Sequence, residues 1–376
     1  MSNQFPVCRN LIHLNHAAVG PWPQLTADRV SAFAQENVQF GSLHYARWLA
    51  LEKQLRQQLA ELINAASVDE IALVKNTSEG LSLVAYGLPW QPGDNVVGIE
   101  QEFPSNRFVW ESLASQGVEF RKLDLDSSTD PEQSLMALCD ANTRLISISA
   151  VQFHNGLRMD LHKIGRFCRE QNILFCVDAI QQLGALQFDV QSIGADFVIA
   201  DGHKWMLSGE GLGLFYVRAA VMDRLQVLQY GWHMTQPLSD YSAQHFELAA
   251  SARRFECGSP NMLGIHAMQA SLELLLTTGL DDIERQVLDN SRFLLQGLSA
   301  IDGVQIISDA SASRLSGIVT FNSEKLAAEK LYQRLLAENI LCAPRGGGVR
   351  LSPHFYTPRA QLEQALDVIQ QLLKNG

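Results

Sequence analysis

Long apolar runs, paired-cysteine spacings and metal-ligand spacings are all missing from this chain of 376 residues. No run approaches the roughly 18 apolar residues of a membrane span, and residues 1–20 lack the basic-then-apolar order of a signal peptide. A cytoplasmic protein with no membrane partner is the expectation. The six cysteines (Cys8, Cys139, Cys168, Cys176, Cys257, Cys342) are scattered without a C-x-x-C. That pattern suits a reducing compartment and buried apolar fillers better than a disulfide framework or a zinc site. The ten histidines show no H-E-x-x-H, so no metal is expected. Charge is scarce at 18%, and 40 acidic against 29 basic residues leave a net −11. Such a surface repels a phosphate backbone, which argues against a nucleic-acid partner. With 47% hydrophobic residues and no low-complexity tract, disorder is excluded and a large core can form.

Two domains, or one large α/β unit with an appendage, are expected at this length. From about residue 67 to 217, short aliphatic runs alternate with amphipathic stretches, the rhythm of βα units in a mostly parallel sheet. Strands are predicted at 71–75, 95–99, 118–123, 144–151, 173–177, 197–200 and 212–217, and helices at 104–116 and 161–171. Upstream, 24–40 and 46–65 read as helices, the second with a leucine stripe at Leu51, Leu55, Leu59 and Leu62. Downstream, helices at 262–278, 283–300, 323–338 and 358–373 alternate with strands at 304–307, 317–322 and 349–352. The chain therefore divides into an N-terminal segment (1–22), a large α/β domain (23–260) and a smaller C-terminal α+β domain (261–376).

Chemistry concentrates in four places. Asn76-Thr77-Ser78-Glu79-Gly80 opens a helix after a strand, where hydroxyls and free amides bind phosphate or simply cap the helix. Asp178, in Val177-Asp178-Ala179-Ile180-Gln181, ends an apolar strand. There it either pairs with a protonated ring nitrogen, Gln181 donating to the same ring, or caps the next helix. Lys204, in Asp201-Gly202-His203-Lys204-Trp205, is an amine in apolar company, suited to Schiff-base chemistry unless it is solvated. Arg345-Gly346-Gly347-Gly348-Val349-Arg350 carries two guanidinium groups suited to carboxylates, or forms a charged surface hairpin. Together the four make the parts needed by pyridoxal 5′-phosphate acting on an amino acid.

In their order, Thr-Ser-Glu-Gly, Asp-x-x-Gln, Gly-His-Lys-Trp and Val-Arg-Leu-Ser-Pro-His-x-Tyr, these motifs resemble the class V aminotransferase family of fold type I pyridoxal phosphate enzymes. That group includes kynureninases, cysteine desulfurases and isopenicillin N epimerase-like proteins. The resemblance implies Lys204 as the catalytic Schiff-base lysine and Asp178 as the acid on the pyridine nitrogen. It implies Thr77, Ser78 and His203 around the phosphate, Gln181 on the phenolic oxygen and Phe103 stacked on the ring. Arg350 is implied as the α-carboxylate anchor, and Ser259, in Gly258-Ser259-Pro260-Asn261, as reaching a neighbouring subunit's phosphate in a homodimer with shared sites. Trp232 either lines the mouth or packs in the core. Arg345 either reads a second carboxylate or sits at the surface, and His16 and Asn155 are further candidates for the pocket. Asp201 must point away from a phosphate or pair with a base.

The expected activity is transamination of a small amino acid. The alternatives are a lyase, desulfurase or epimerase on the same scaffold and, more remotely, a binding protein without turnover. A desulfurase needs a cysteine on a loop just before the carboxylate-binding arginine. Here the only cysteine there is Cys342, in a stretch that reads as strand.

Overall fold

The computed structural model describes residues 3–238, 242 and 245–374. The chain opens with β1 (Ile12–His13), α1 (Gln24–Phe40) and α2 (Tyr45–Leu62), followed by β2 (Ile71–Val74), α3 (Thr77–Gly87), β3 (Asn95–Ile99), α4 (Ser105–Glu111), β4 (Glu119–Leu123), α5 (Pro131–Ala137) and β5 (Thr143–Ser149). Then come α6 (Leu161–Gln171), β6 (Leu174–Asp178), α7 (Val190–Ile193), β7 (Phe197–Asp201), β8 (Gly213–Val217), α8 (Ala219–Met222), β9 (Thr235–Gln236) and β10 (Glu247–Leu248). The C-terminal part holds α9 (Met262–Thr278), α10 (Leu280–Ser299), β11 (Val304–Ile306), β12 (Val319–Ser323), α11 (Ala328–Ala337), β13 (Ile340–Leu341), β14 (Ala343–Arg345), β15 (Gly348–Leu351) and α12 (Arg359–Lys374).

Seven strands form the main sheet in the order β2-β8-β7-β6-β5-β3-β4, and only β8 runs against its neighbours. The inner strands are largely apolar because both faces are covered, whereas the edge strand β4 (Glu-Phe-Arg-Lys-Leu) is mostly polar and partly exposed. Val97, Ile148, Val177 and Val198 point into one core, while Val96, Leu145, Cys176 and Phe197 point into a second one under α3 and α4. The first core continues without a break into the antiparallel β11-β12-β15-β14 sheet through Phe321, Val349 and Leu351. Helix α9, which the sequence grouped with the C-terminal unit, packs along α1 and α2.

The N-terminal segment belongs spatially to the C-terminal sheet region. Ile12 pairs in parallel with Ile340, and Ser352 N–H donates to Leu14 O at 2.8 Å. The segment then crosses to the main sheet, where Gly20 N–H donates to His203 O at 2.8 Å. A Cβ on Gly20 would stand 2.3 Å from the Lys204 carbonyl oxygen, so only glycine permits this approach. Among the described residues no helix is long and apolar enough to cross a membrane.

Candidate active site

Successive strands leave the sheet in opposite directions at β3 and β5, and a crevice opens there beyond their carboxyl ends. It holds a cavity of about 440 Å³. Asp178 from the end of β6, Lys204 from the turn after β7, Thr77 from the start of α3 and Phe103 from the loop after β3 all line it, as do Arg345 and Arg350 from the β14–β15 hairpin. Residues 17–19 of the N-terminal segment close one wall.

The start of α3 shows both sequence readings at once. Asn76 Oδ1 accepts the Glu79 N–H at 2.9 Å, a regular cap, and the Glu79 carboxylate turns back to the Lys75 N–H. That cap leaves Thr77 Oγ1 buried at the positive helix end with no partner. Ser78 donates to Ser105 Oγ at 2.8 Å along the same wall. His203 Nδ1 stands 3.1 Å from Asp201 Oδ1, yet both atoms lack an aligned hydrogen-bond partner. The pair is close but off the line a hydrogen bond needs, so Asp201 faces a base, as its position required.

Asp178 is 3% exposed, and its Oδ1 accepts the Ile180 N–H at 3.0 Å in a turn rather than at a helix cap. Burial pushes its carboxyl up to about 6, with the Ile180 N–H and Lys204 opposing and Asp201 adding to the rise. The Lys204 ammonium is pulled down to about 8 by burial, against Asp178. It lies 5.6 Å from the centre of the Phe103 ring. Gln181 is fixed by two buried bonds, its Oε1 accepting from Trp205 Nε1 at 2.9 Å and its Nε2 donating to Ala17 O at 3.0 Å. Its second amide hydrogen is left for the cavity.

Arg345 and Arg350 flank a tight two-residue hairpin. Gly346 and Gly347 both have positive φ, 58° and 75°, and Arg345 pairs with Gly348. The hairpin of the plainer reading is therefore real, but Arg350 points inward from it. It is 2% exposed, donates to Phe153 O at 2.6 Å and keeps a buried Nε with no partner. Burial, with Arg345 adding its field, lowers it to about 10. A buried guanidinium without a carboxylate is costly unless an anion completes it.

Four further expected site residues lie outside the cavity lining. His16 is fully buried with Nδ1 2.8 Å from Ser352 O and Nε2 2.7 Å from Tyr356 Oη, so it joins the N-terminal segment to the C-terminal sheet and does not line the cavity. Asn155 spends its Oδ1 on the Leu157 N–H at 3.0 Å, stabilising a turn outside the cavity lining. Trp232 sits half-buried in a short helical turn and is also outside that lining. Ser259 lines a separate cleft of about 140 Å³ with Lys75 and Glu79. The sequence reading missed Ser105, Ser149, Phe153 and Glu210 in the cavity wall. Ser149 was detectable, because it ends the strand beside the one carrying Asp178.

An unpartnered hydroxyl at a helix N-terminus, an acid at the end of a central strand, a desolvated lysine and an unpaired buried arginine form a site for a phosphorylated ring and an amino acid's carboxylate. The residues fit pyridoxal phosphate. Thr77, Ser78 and His203 would hold its phosphate, Asp178 its ring nitrogen and Phe103 its face. When bound, this group withdraws electrons from the substrate Cα.

The aminotransferase class-V family model matches residues 12–355, and the chain belongs to that family, whose cofactor is pyridoxal phosphate. A protein of Methanothermobacter thermautotrophicus named "probable cysteine desulfurase" is 28% identical, over 99% of this chain and 97% of its own. The cysteine desulfurase of Pectobacterium carotovorum is 30% identical, over 83% of this chain and 77% of its own. Among solved structures, the fold matches the cystine C–S lyase C-DES in complex with cysteine persulfide, with a TM-score of 0.90 and 23% identity, covering 98% of this chain and 99% of that one.

Asp178 gives a direct check on the site's electrostatics. Its carboxyl sits at about 6 against an ordinary 3.8, so between those values the folded protein holds a proton that the unfolded chain has released. This contribution to stability is present below about pH 4 and is lost as the pH rises through about 6. Thermal unfolding of the cofactor-free protein is expected to show the difference, wild type minus Asp178→Asn, falling across that window. A difference that stays flat there would contradict the assignment.

Proposed function

We propose that the protein is a pyridoxal phosphate-dependent lyase that breaks the C–S bond of a sulfur amino acid and releases the sulfur on a small product. The observation that carries this reading is a cavity with the lysine, acid and arginine of the family but no thiol. None of the six cysteines lines it. Cys342, the one before Arg350, is buried with its thiol pushed up to about 12, which leaves it inert. The relatives named cysteine desulfurase support C–S cleavage over transamination, the leading expectation from the sequence.

Arg350 would bind the α-carboxylate and set the Cα–H bond toward Lys204. Lys204, as free amine, would take the Cα proton. The electron pair left behind forms the Cα–Cβ double bond, and the Cβ–S pair departs with sulfur. Hydrolysis of the resulting enamine gives pyruvate and ammonia. His203 would hold the phosphate end, with the Asp201 carboxylate 3.1 Å from its Nδ1.

Two results test this. With cysteine the expected products are pyruvate, ammonia and hydrogen sulfide, with cystine they are pyruvate, ammonia and cysteine persulfide, and Cys342→Ala is expected to keep the wild-type kcat. A keto acid retaining the substrate's sulfur would establish transamination instead, and loss of turnover in Cys342→Ala would show an enzyme-borne sulfur carrier.

Arg345 supports a substrate with a second carboxylate. It is exposed at the mouth of the same cavity, and its field reaches both Lys204 and Arg350. Arg345→Gln is expected to raise KM about tenfold for dicarboxylic sulfur amino acids such as cystine and to leave KM for cysteine unchanged, the size typical of one exposed charge-assisted contact. Equal effects on both substrates would count against the role.

The same reading includes a homodimer. It is supported by the Ser259 cleft and by exposed Val38, Phe40 and Leu43 at the α1–α2 corner, an apolar surface of the kind a second subunit covers.

A further inference from the structure

Glu102 immediately precedes Phe103 and is 3% exposed. Its carboxyl takes three hydrogen bonds from the end of β5 and the residues after it: from Ser149 N–H at 2.7 Å, from Gln152 Nε2 at 3.0 Å and from the Ser149 hydroxyl. No lysine, arginine or histidine is among the groups that hold it. A carboxyl buried with three neutral donors is a costly arrangement for packing alone.

Each partner leads to a different part of the site. Ser149 lines the cavity and is the register partner of Asp178 across β5 and β6, so the two side chains leave the sheet on the same face. Gln152 precedes Phe153, whose ring meets Phe103 edge-on at 5.3 Å. The Phe153 carbonyl oxygen accepts the 2.6 Å bond from Arg350. Glu102 thus joins the strand carrying Ser149, the aromatic over the cofactor position and the segment that holds the carboxylate anchor.

We propose that Glu102 is a positioning residue that sets Phe103, Asp178 and Arg350 at fixed heights relative to one another, coupling cofactor seating to capture of the substrate carboxylate. It rests on the cofactor site and not on which bond is broken.

The carboxyl is also placed to titrate near neutrality. Burial pushes it up to about 7, the bonds from Ser149 and Gln152 oppose that, and the charge of Asp178 on β6 adds to it. Asp201, His203 and Lys204 at and after the end of β7, Glu210 before β8, Arg345 on β14 and Arg350 on β15 are the other charged or titratable groups of the cavity. A protonated Glu102 donates to the Ser149 hydroxyl instead of accepting from it and gives up the charge that strengthens all three bonds, so the tie weakens as that proton is taken up.

The test is a titration of cofactor-free protein with pyridoxal phosphate, followed by absorbance and visible circular dichroism from pH 5.5 to 8.5. It is paired with steady-state kinetics of the loaded enzyme. Glu102→Gln is expected to weaken cofactor binding about tenfold or more, the scale of a misplaced site. It is also expected to reduce the visible dichroism and to remove the change in affinity around pH 7. Gln152→Leu, which keeps the Ser149 bonds, is expected to raise KM several-fold while cofactor affinity stays within about twofold. If Glu102→Gln does not fold, Ser149→Ala serves for the cofactor measurement, with the same direction expected. Wild-type cofactor affinity and pH dependence in Glu102→Gln, or in Ser149→Ala where that variant stands in, would overturn the proposal. So would an unchanged KM in Gln152→Leu.

Discussion

Lys204→Ala is expected to lower turnover by about four powers of ten, the upper range for losing a general base, with the fold intact by circular dichroism. The lysine is 9% exposed and lines the cavity beside Asp178 and Phe103. Burial pulls its ammonium to about 8, so near neutrality a useful fraction is free amine, whereas a solvated lysine near 10.5 would be almost wholly protonated. Asp178 limits that fall, which keeps the site able to bind and return a proton. Residual turnover within tenfold of wild type would remove Lys204 from the role of base.

The second large effect belongs to Arg350. Arg350→Leu is expected to reduce kcat/KM by about two to three powers of ten, the usual consequence of deleting one side of a buried charged contact. The same substitution is expected to stabilise the cofactor-free protein by about 1 kcal/mol, because it removes a desolvated cation that has no carboxylate partner. Parallel thermal unfolding and kinetics check both halves. A loss of activity accompanied by a loss of stability would make Arg350 a structural residue held by Phe153 O.

Much of the sheet could be read from the sequence. Strands predicted at 95–99, 173–177 and 197–200 fall at Asn95–Ile99, Leu174–Asp178 and Phe197–Asp201, since strands covered on both faces are short apolar runs. Strand β1 escaped because two residues have no periodicity and their partner, Ile340, lies more than three hundred positions away. The predicted helix 323–338 begins only at Ala328, because Ser323 still belongs to β12. In the site, residue types whose chemistry is local were visible: Asp178 at a strand end, Lys204 in an apolar turn, Arg350 beside glycines. His16 was misplaced because its surroundings are Ser352 and Tyr356, which no local pattern near residue 16 announces. Glu102 went unnoticed for the same reason. What defines it is the three donors from Ser149 and Gln152, about fifty residues later in the chain.

The parallel pairing of Ile12 with Ile340 also has a temporal meaning. Synthesis runs from the N-terminal side, and the strip that closes one wall of the cavity has to wait for its partners, residues 340 to 352, before it can dock. Every strand of the central sheet ends by Val217, so all of its strands are made before residues 340 to 352. The cavity is therefore complete only once residues 340 to 352 have been made, and a nascent chain arrested before residue 340 would carry Lys204 and Asp178 in a site lacking both arginines and its N-terminal wall.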